Sequence, residues 1–362
     1  MDKIIITGGG TGGHLFPALS IGDSLEKKGF SIIYIGSKFG IENQYFKKSK
    51  IKYYLLNIKG IHRNLSIKSI ISNILLPIRC LISYFLSIKI IRKHKPVAII
   101  GTGGYASALP LIAGYHLKIP LMIQEQNSIP GIITKLMSKR VENIFLGYDI
   151  LGNKHNNVNS IYTGNPIRKD LKLLDKKNSK DKLNFNKNKK LILIIGGSQG
   201  SYPINNYIKD NIDFFIKNDF QLLWQVGKHS YETMKNINNN ETIKIEKFIN
   251  NMSEAYSAAD LVISRAGAIA ISELTLFNKA MILVPFPGAA NNHQNINAEY
   301  LYKKGACIIV NQSNLKNGHL EKSILNLFSN NDTIKLLEKQ SKLLCMPNAT
   351  EEITKKIIKS IK

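Results

Sequence analysis

The sequence predicts an α/β protein built from two Rossmann-like, doubly wound domains in tandem. Three observations carry that prediction. Short, unalternated runs of β-branched and aliphatic residues recur along the chain, with helical patterns between most of them. Runs of this kind suit parallel strands covered on both faces, and strand–helix repetition is the signature of a doubly wound sheet. The pattern also starts twice: Lys3–Thr7 enters a glycine loop at Gly8, and Leu191–Ile195 enters another at Gly196. A length of 362 residues fits two domains of ~150–200 residues each.

The strands expected in the first half are 3–7, 31–35, 97–101, 120–124 and 161–163. Those expected in the second half are 191–195, 222–226, 261–264, 281–285 and 307–310. Residues 169–190 are rich in Lys, Asn and Asp and read as an exposed connection, with a boundary near Pro166. The first domain is therefore expected at 1–165 and the second from 166.

An apolar content of 44% and a charged content of 21% are those of a globular protein. Three cysteines, Cys80, Cys307 and Cys345, stand far apart with no metal-binding spacing, which fits a reducing compartment. The apolar run Ile4–Ile6 is too short for a signal peptide, so cytoplasm is expected. The net charge of +25 fits either an A/T-rich genome or an anionic partner. Its distribution is more telling than its size. From Asn43 to Gln124, 82 residues, there is no Asp or Glu and there are 13 Lys/Arg.

The first glycine loop, Gly8-Gly9-Gly10-Thr11-Gly12-Gly13-His14, follows a strand and precedes a helix. Glycines there let backbone N–H groups approach a phosphate, and the helix N-terminus adds favourable partial charge. No Lys-Ser/Thr closes the loop, so it is not a Walker A loop. The acid expected on a nicotinamide ribose is missing, since the second strand ends Ile35-Gly36-Ser37-Lys38. Three more glycine turns follow strands: Gly101–Ser107, Gly196–Ser201 and Ser264–Ala268. In open α/β sheets ligands bind at the carboxyl ends of strands. Loops on the facing edges of two domains imply a cleft and phosphate or sugar chemistry.

These residues resemble the MurG family, the UDP-N-acetylglucosamine transferases of peptidoglycan synthesis. The similarity begins with Gly8–Ala18. It continues through Gly103-Gly104-Tyr105-Ala106-Ser107, Glu125-Gln126-Asn127 and Thr163-Gly164-Asn165-Pro166-Ile167-Arg168. Gly196-Gly197-Ser198-Gln199-Gly200 follows, then Ser264–Ala268 with Ser272-Glu273, and Asn292-His293-Gln294 with Asn297-Ala298. Departures are Gln124 before Glu125, Ile133-Thr134 after the Pro-Gly, Asn291 where an acid is usual, and Tyr202-Pro203.

The resemblance implies a GT-B fold: two Rossmann-like halves facing across a cleft, with a last helix at about 338–362 crossing back to the first domain, which sets the second domain at 166–337. It implies inverting transfer of GlcNAc from UDP-GlcNAc to the 4-hydroxyl of MurNAc on undecaprenyl-diphosphate, with no metal and no cofactor. The donor would be held by Thr11, Gly12, Gly13, Asn127, Arg168, Ser198, Ile249, Ala268, Ile269, Ala270, Ile271, Ser272, Glu273 and Gln294. The acceptor would be held by Gly10, Gly103, Gly104, Tyr105 and Ser107.

Each role has a plainer alternative. Arg168 neutralises a leaving diphosphate or is a solvated linker residue. Ser198 donates to the same phosphates or caps a helix. Glu273 accepts from ribose hydroxyls or answers a helix dipole. His14 removes the acceptor proton as a neutral imidazole, or hydrogen-bonds a phosphate, or packs under the loop; Glu125 is the competing base.

Inside the acid-free window Ile67, Ile70, Ile71, Ile74, Leu75 and Ile78 share one helix face, continued by Leu81, Ile82, Phe85 and Leu86. Part of that stripe is expected in the core. The rest, with Ile74, Leu75, Arg79 and Phe85, is expected to lie on anionic lipid at the cytoplasmic face of a bacterial inner membrane. No apolar run reaches the ~18 residues needed to span a bilayer. A nucleic-acid-binding protein fits the charge, but the window offers few aromatic residues and no recognised binding module, so no nucleic acid is expected. A second alternative is another enzyme of the same fold, a sugar-nucleotide epimerase or a transferase using a different glycolipid; a nicotinamide oxidoreductase is weaker still, for want of the ribose acid.

Overall fold

The computed structural model describes residues 1–47, 49–60, 66, 73–150, 160–237 and 241–361. The chain forms two compact units, one from Met1–Arg168 with Pro347–Lys362 and one from Lys169–Met346.

In the first unit seven parallel strands are ordered β3-β2-β1-β4-β5-β6-β7: β1 Lys3–Thr7, β2 Ser31–Ser37, β3 Tyr53–Leu56, β4 Ala98–Gly101, β5 Leu121–Glu125, β6 Asn143–Leu146 and β7 Ser160–Tyr162. The unalternated apolar runs have a direct cause. Ile4 and Ile6 face a core layer with Leu15, Ile21 and Leu25 of the helix Gly12–Glu26 and with Ile353 and Ile357. Ile5 faces the other layer, with Ile90 and Ile91 of the helix Leu76–His94 and Leu111 of the helix Ala108–His116. Both faces of the strand are covered, so every position is apolar.

The second unit repeats the plan with six parallel strands ordered β10-β9-β8-β11-β12-β13: β8 Leu191–Ile195, β9 Gln221–Gln225, β10 Ile243–Glu246, β11 Leu261–Ser264, β12 Met281–Leu283 and β13 Ile308–Ile309. In each sheet the strand order reverses beside the first strand, between β1 and β4 and between β8 and β11. The four glycine turns follow these four strands, at the switch points where such sheets bind ligands.

Three strands escape the sequence pattern. β3 and β10 are edge strands of four residues with mostly half-buried side chains, and β6 is a four-residue run opening on Asn143. Short strands with mixed polarity carry too little signal. The segment 169–190 is also more than an exposed connection. It holds the helix Lys176–Lys182, capped by Asp175, whose side chain accepts from the Asn178 amide at 2.8 Å. Lys180 is buried and reaches Asp260 at 2.6 Å, while Lys176 reaches the same carboxylate at 3.0 Å. Burial raises the Asp260 pKa, but the two ammonium groups and the Leu191 amide outweigh it and hold the carboxyl below its ordinary value. Residues 338–362 are not one helix. The helix Asn331–Leu343 belongs to the second unit, and the helix Ala349–Ile361 packs on Gly12–Glu26 in the first.

Candidate active site

In the first unit the loops after β1, β4 and β5 converge on His14. Its Nδ1 lies 3.0 Å from the Thr102 carbonyl oxygen and 3.0 Å from Gln126 Oε1. The amide orientation of Gln126 follows from its surroundings. Gln126 Nε2 donates to the Thr102 oxygen at 2.8 Å, to the Gln124 carbonyl at 3.1 Å, and to Gln124 Oε1. With oxygens on that side, Oε1 must face the imidazole. Two acceptors at Nδ1 place the ring proton there and leave the lone pair on Nε2. Gln124 Nε2 donates to Asn165 Oδ1 at 3.0 Å, and Asn165 Nδ2 donates to the Gln126 carbonyl at 3.0 Å. The network is buried, which makes its geometry specific.

Gly103 and Gly104 are shaped to this histidine. Both have positive φ, +88° and +73°. A Cβ on Gly103 would stand 2.9 Å from His14 Nδ1, and one on Gly104 would stand 2.3 Å from the Gly9 oxygen and 3.0 Å from His14 Cδ2. Thr11 is the exposed N-cap of the helix Gly12–Glu26, and its hydroxyl makes no capping bond. Tyr105 lies against Gly10 and Gly60. Burial pushes its phenol pKa up, so it is a neutral donor. The Ser107 hydroxyl turns inward to the Gly104 carbonyl at 2.9 Å.

Glu125 has a different environment from His14. One oxygen accepts from the Asn127 amide at 3.1 Å and the Asn127 side chain at 3.3 Å. The other accepts from the Gly131 amide at 2.8 Å and the Thr134 hydroxyl at 2.5 Å. A buried carboxylate with four donors is a clamp for the 127–134 turn. The alternation of β5 explains the division: Gln124 and Gln126 share one side, and Glu125 takes the other. Arg168, half-buried at the end of the first segment of this unit, lies 6.0 Å over the Phe16 ring.

In the second unit Ser198 is exposed on the turn after β8. It is not a helix cap, because the helix Tyr202–Asp210 takes Ser201 in that position. The helix Ala268–Leu276 makes its first i to i−4 bond from the Ile271 amide to Gly267. The Ala268, Ile269 and Ala270 amides therefore form the open first turn. The Ile269 and Ile271 side chains are buried, and the Ser272 hydroxyl donates back to Ala268 at 3.0 Å. Glu273 is buried and accepts from Tyr256 Oη at 2.8 Å. The Ile249 amide is held by Gln225 Oε1 at 2.8 Å, while Gln225 Nε2 donates to Gly197 at 3.0 Å. Gln294 Oε1 accepts from the Phe286 amide at 3.0 Å. Asn291 and Asn292 are both left-handed, with φ of 52° and 55°, a conformation asparagine tolerates better than most residues.

Arg265 carries more than its motif shows. Its guanidinium donates to the Val284 and Pro285 carbonyls at 3.0 Å each, to Ser201 Oγ at 2.6 Å and to Gln312 Oε1 at 2.7 Å. Burial lowers its pKa to about 10, which still leaves a cation at neutral pH. Glu42, Thr102, Gln225 and Arg265 had no sequence-based role, because their partners are distant in the chain. Among the described residues no three His, Cys, Asp or Glu side chains are grouped to hold a metal ion.

The apolar stripe is exposed where it is described. Ile74 is 68% exposed and Phe85 59%, and Leu75, Ile78, Leu81, Ile82 and Leu86 are exposed as well. The opposite face of the helix Leu76–His94 supplies the core contacts through Ser83, Ser87, Ile90, Ile91 and His94. Ile74 and Leu75 are thus exposed where a surface role was expected of them; Ile67, Ile70 and Ile71, also on the stripe, lie outside the described residues. Arg79 is half-buried. No described helix is long and apolar enough to cross a membrane.

The N-terminal domain of glycosyltransferase family 28 matches residues 4–146, and the C-terminal domain of that family matches residues 191–359. A relative from Flavobacterium psychrophilum is 37% identical, covering 99% of this chain and 98% of its own. One from Cytophaga hutchinsonii is 38% identical, covering 99% and 97%. Both are named UDP-N-acetylglucosamine–N-acetylmuramyl-(pentapeptide) pyrophosphoryl-undecaprenol N-acetylglucosamine transferase. Among solved structures, Acinetobacter baumannii MurG superposes with a TM-score of 0.77 at 24% identity, covering 99% of this chain and 100% of that one. Staphylococcus aureus MnaA with UDP superposes with a TM-score of 0.70 at 16% identity, covering 99% and 96%. Structural likeness at these identities speaks for the fold alone. The near-full-length relatives decide the family: this chain belongs to the MurG family of glycosyltransferase family 28.

Proposed function

We propose that the protein transfers GlcNAc from UDP-GlcNAc to the MurNAc 4-hydroxyl of undecaprenyl-diphosphate-linked MurNAc-pentapeptide, with inversion at the anomeric carbon, converting lipid I to lipid II. The observation that carries the mechanism is the pair of oxygens facing His14 Nδ1, from which the tautomer is assigned. With Nδ1–H committed to Thr102 and Gln126, Nε2 is the acceptor for the proton of the attacking hydroxyl. As the acceptor O4 bonds to the donor C1, the bond from C1 to the diphosphate oxygen breaks and UDP leaves with the electron pair. Ser198 and the open first turn at Ala268–Ala270 offer hydrogen bonds to that developing charge. Glu273 takes the ribose hydroxyls, the Ile249 segment the uracil, and Gln294 the GlcNAc. The proposed acceptor residues all lie in the first unit, together with Thr11, Gly12, Gly13, Asn127 and Arg168 for the donor, and Ile249, Glu273 and Gln294 lie in the second. The test is transfer of labelled GlcNAc to a short-chain lipid I analogue in detergent with EDTA present. Label in the lipid fraction supports the reading. Bound UDP-GlcNAc converted to another sugar nucleotide, with no lipid product, replaces it with an epimerase.

The exposed stripe on the helix Leu76–His94 is the proposed contact with an anionic membrane, making the protein peripheral to the inner membrane on its cytoplasmic side. Full burial of an apolar side chain stabilises by about 1.5–3 kcal/mol, so Ile74→Ser with Phe85→Ser is expected to weaken binding to anionic liposomes by about a hundredfold. Co-sedimentation checks it, and undiminished binding rules the surface out.

A further inference from the structure

We propose that Glu42 is a positioning residue for the transfer. This deepens the proposed function and rests on it. Glu42 is completely buried. Its Oε2 accepts from the Gly10 amide at 2.9 Å and its Oε1 from the Ser37 amide at 2.8 Å. The carboxylate thus joins the loop after β1 to the end of β2.

Three glycines are shaped around it. A Cβ on Gly9 would stand 2.4 Å from Oε1, one on Gly40 2.0 Å from Oε2, and one on Gly36 2.7 Å from Cγ. None of these positions accepts a side chain while the carboxylate is in place. Gly9 and Gly10 have φ of +153° and +91°, so the loop also adopts a backbone few other residues accept.

The consequence is a loop with one amide turned inward. In a phosphate cradle the loop amides face the ligand. Here the Gly10 amide faces Glu42, so Gly10 serves the acceptor by shape and not as a donor. Glu42 acts on the reacting groups through contacts. Gly10 borders the Tyr105 ring, and the Gly9 carbonyl borders Gly104, which in turn borders the His14 ring. A loop displaced at Gly9–Gly10 moves Tyr105, Gly104 and the start of the helix carrying His14.

The test uses the full-length protein. Glu42→Gln keeps the shape but must turn its NH2 group toward one of the two backbone amides, setting donor against donor. The loop must shift, and a misplacement of about 1 Å costs about a hundredfold in turnover. The expected result is kcat lowered by about a hundredfold with the affinity for UDP-GlcNAc lowered by less than about tenfold, since the proposed uracil and ribose contacts, Ile249 and Glu273, lie in the other unit and Thr11–Gly13 beside the displaced loop supply only part of the donor's contacts. His14→Ala added to Glu42→Gln is expected to cost far less than in the wild type, because the histidine is already misplaced.

A kcat within about threefold of wild type overturns the proposal. So does parallel loss of donor binding and thermal stability, or strict additivity with His14→Ala. If Glu42→Gln does not fold, Glu42→Asp, which withdraws the carboxylate by one methylene, is read by the same criteria. Absence of transfer by the wild type would instead overturn the function, which separates the two failures.

Discussion

Replacing His14 with alanine is expected to lower kcat for GlcNAc transfer by about 10²–10⁴-fold, the usual contribution of a positioned general base, while leaving the affinity for UDP-GlcNAc unchanged. The expectation rests on which lone pairs are free. Nδ1 has two oxygen acceptors at 3.0 Å, so the neutral ring carries its proton there and Nε2 is a base. Glu125 has both oxygens occupied by four donors. To act as a base it would have to give up bonds that hold the 127–134 turn. Glu125→Gln is therefore expected to retain more turnover than His14→Ala. Gln126→Leu should be milder than His14→Ala, because the Thr102 carbonyl still fixes the ring proton. Steady-state kinetics with both substrates varied checks the set. A His14→Ala enzyme with normal kcat and a raised KM for the lipid acceptor would reduce the histidine to a phosphate contact.

Arg265→Met is expected to destabilise the second unit by about 3 kcal/mol, because the change strips four hydrogen bonds from three buried acceptors and the half-buried Gln312. The guanidinium ties the ends of β11 and β12 to Ser201, at the start of the helix Tyr202–Asp210, and to Gln312. It also lies 5.4 Å over the Phe286 ring. A lysine offers one nitrogen where two arms of a planar fork are needed, so Arg265→Lys should restore little. In calorimetry the transition of this unit is expected to fall by roughly 6–12 °C for that loss. A fall below about 2 °C would show that water or relaxation satisfies the four acceptors.

Much of the fold could be read from the chain because parallel strands covered on both faces leave a strong trace. Lys3–Thr7, Leu191–Ile195 and Leu261–Ser264 fall at their expected positions. The strands that were not expected are those with weak traces, the half-buried edges Tyr53–Leu56 and Ile243–Glu246 and the short Asn143–Leu146. The glycine turns were legible for a related reason. A positive φ or a close backbone approach restricts the residue type at one position, as at Gly103 and Gly104.

The sequence alone determined the doubly wound class, the four glycine turns at strand ends and the membership of a glycosyltransferase family, because each is written in local pattern or in ordered motifs. Only the tertiary structure decided what the polar side chains do. The partners of His14 are 88 and 112 residues away, and those of Arg265 are up to 64 residues away. No local spacing encodes such pairings. Glu42 and Glu125 are both carboxylates near glycine loops, and composition cannot say that each is fully engaged by backbone amides. The outward turn of Ile74, Ile78 and Phe85 was decided in the same way. A helical apolar stripe has the same sequence whether it is covered by core or left open, and the packing of the opposite face settled which.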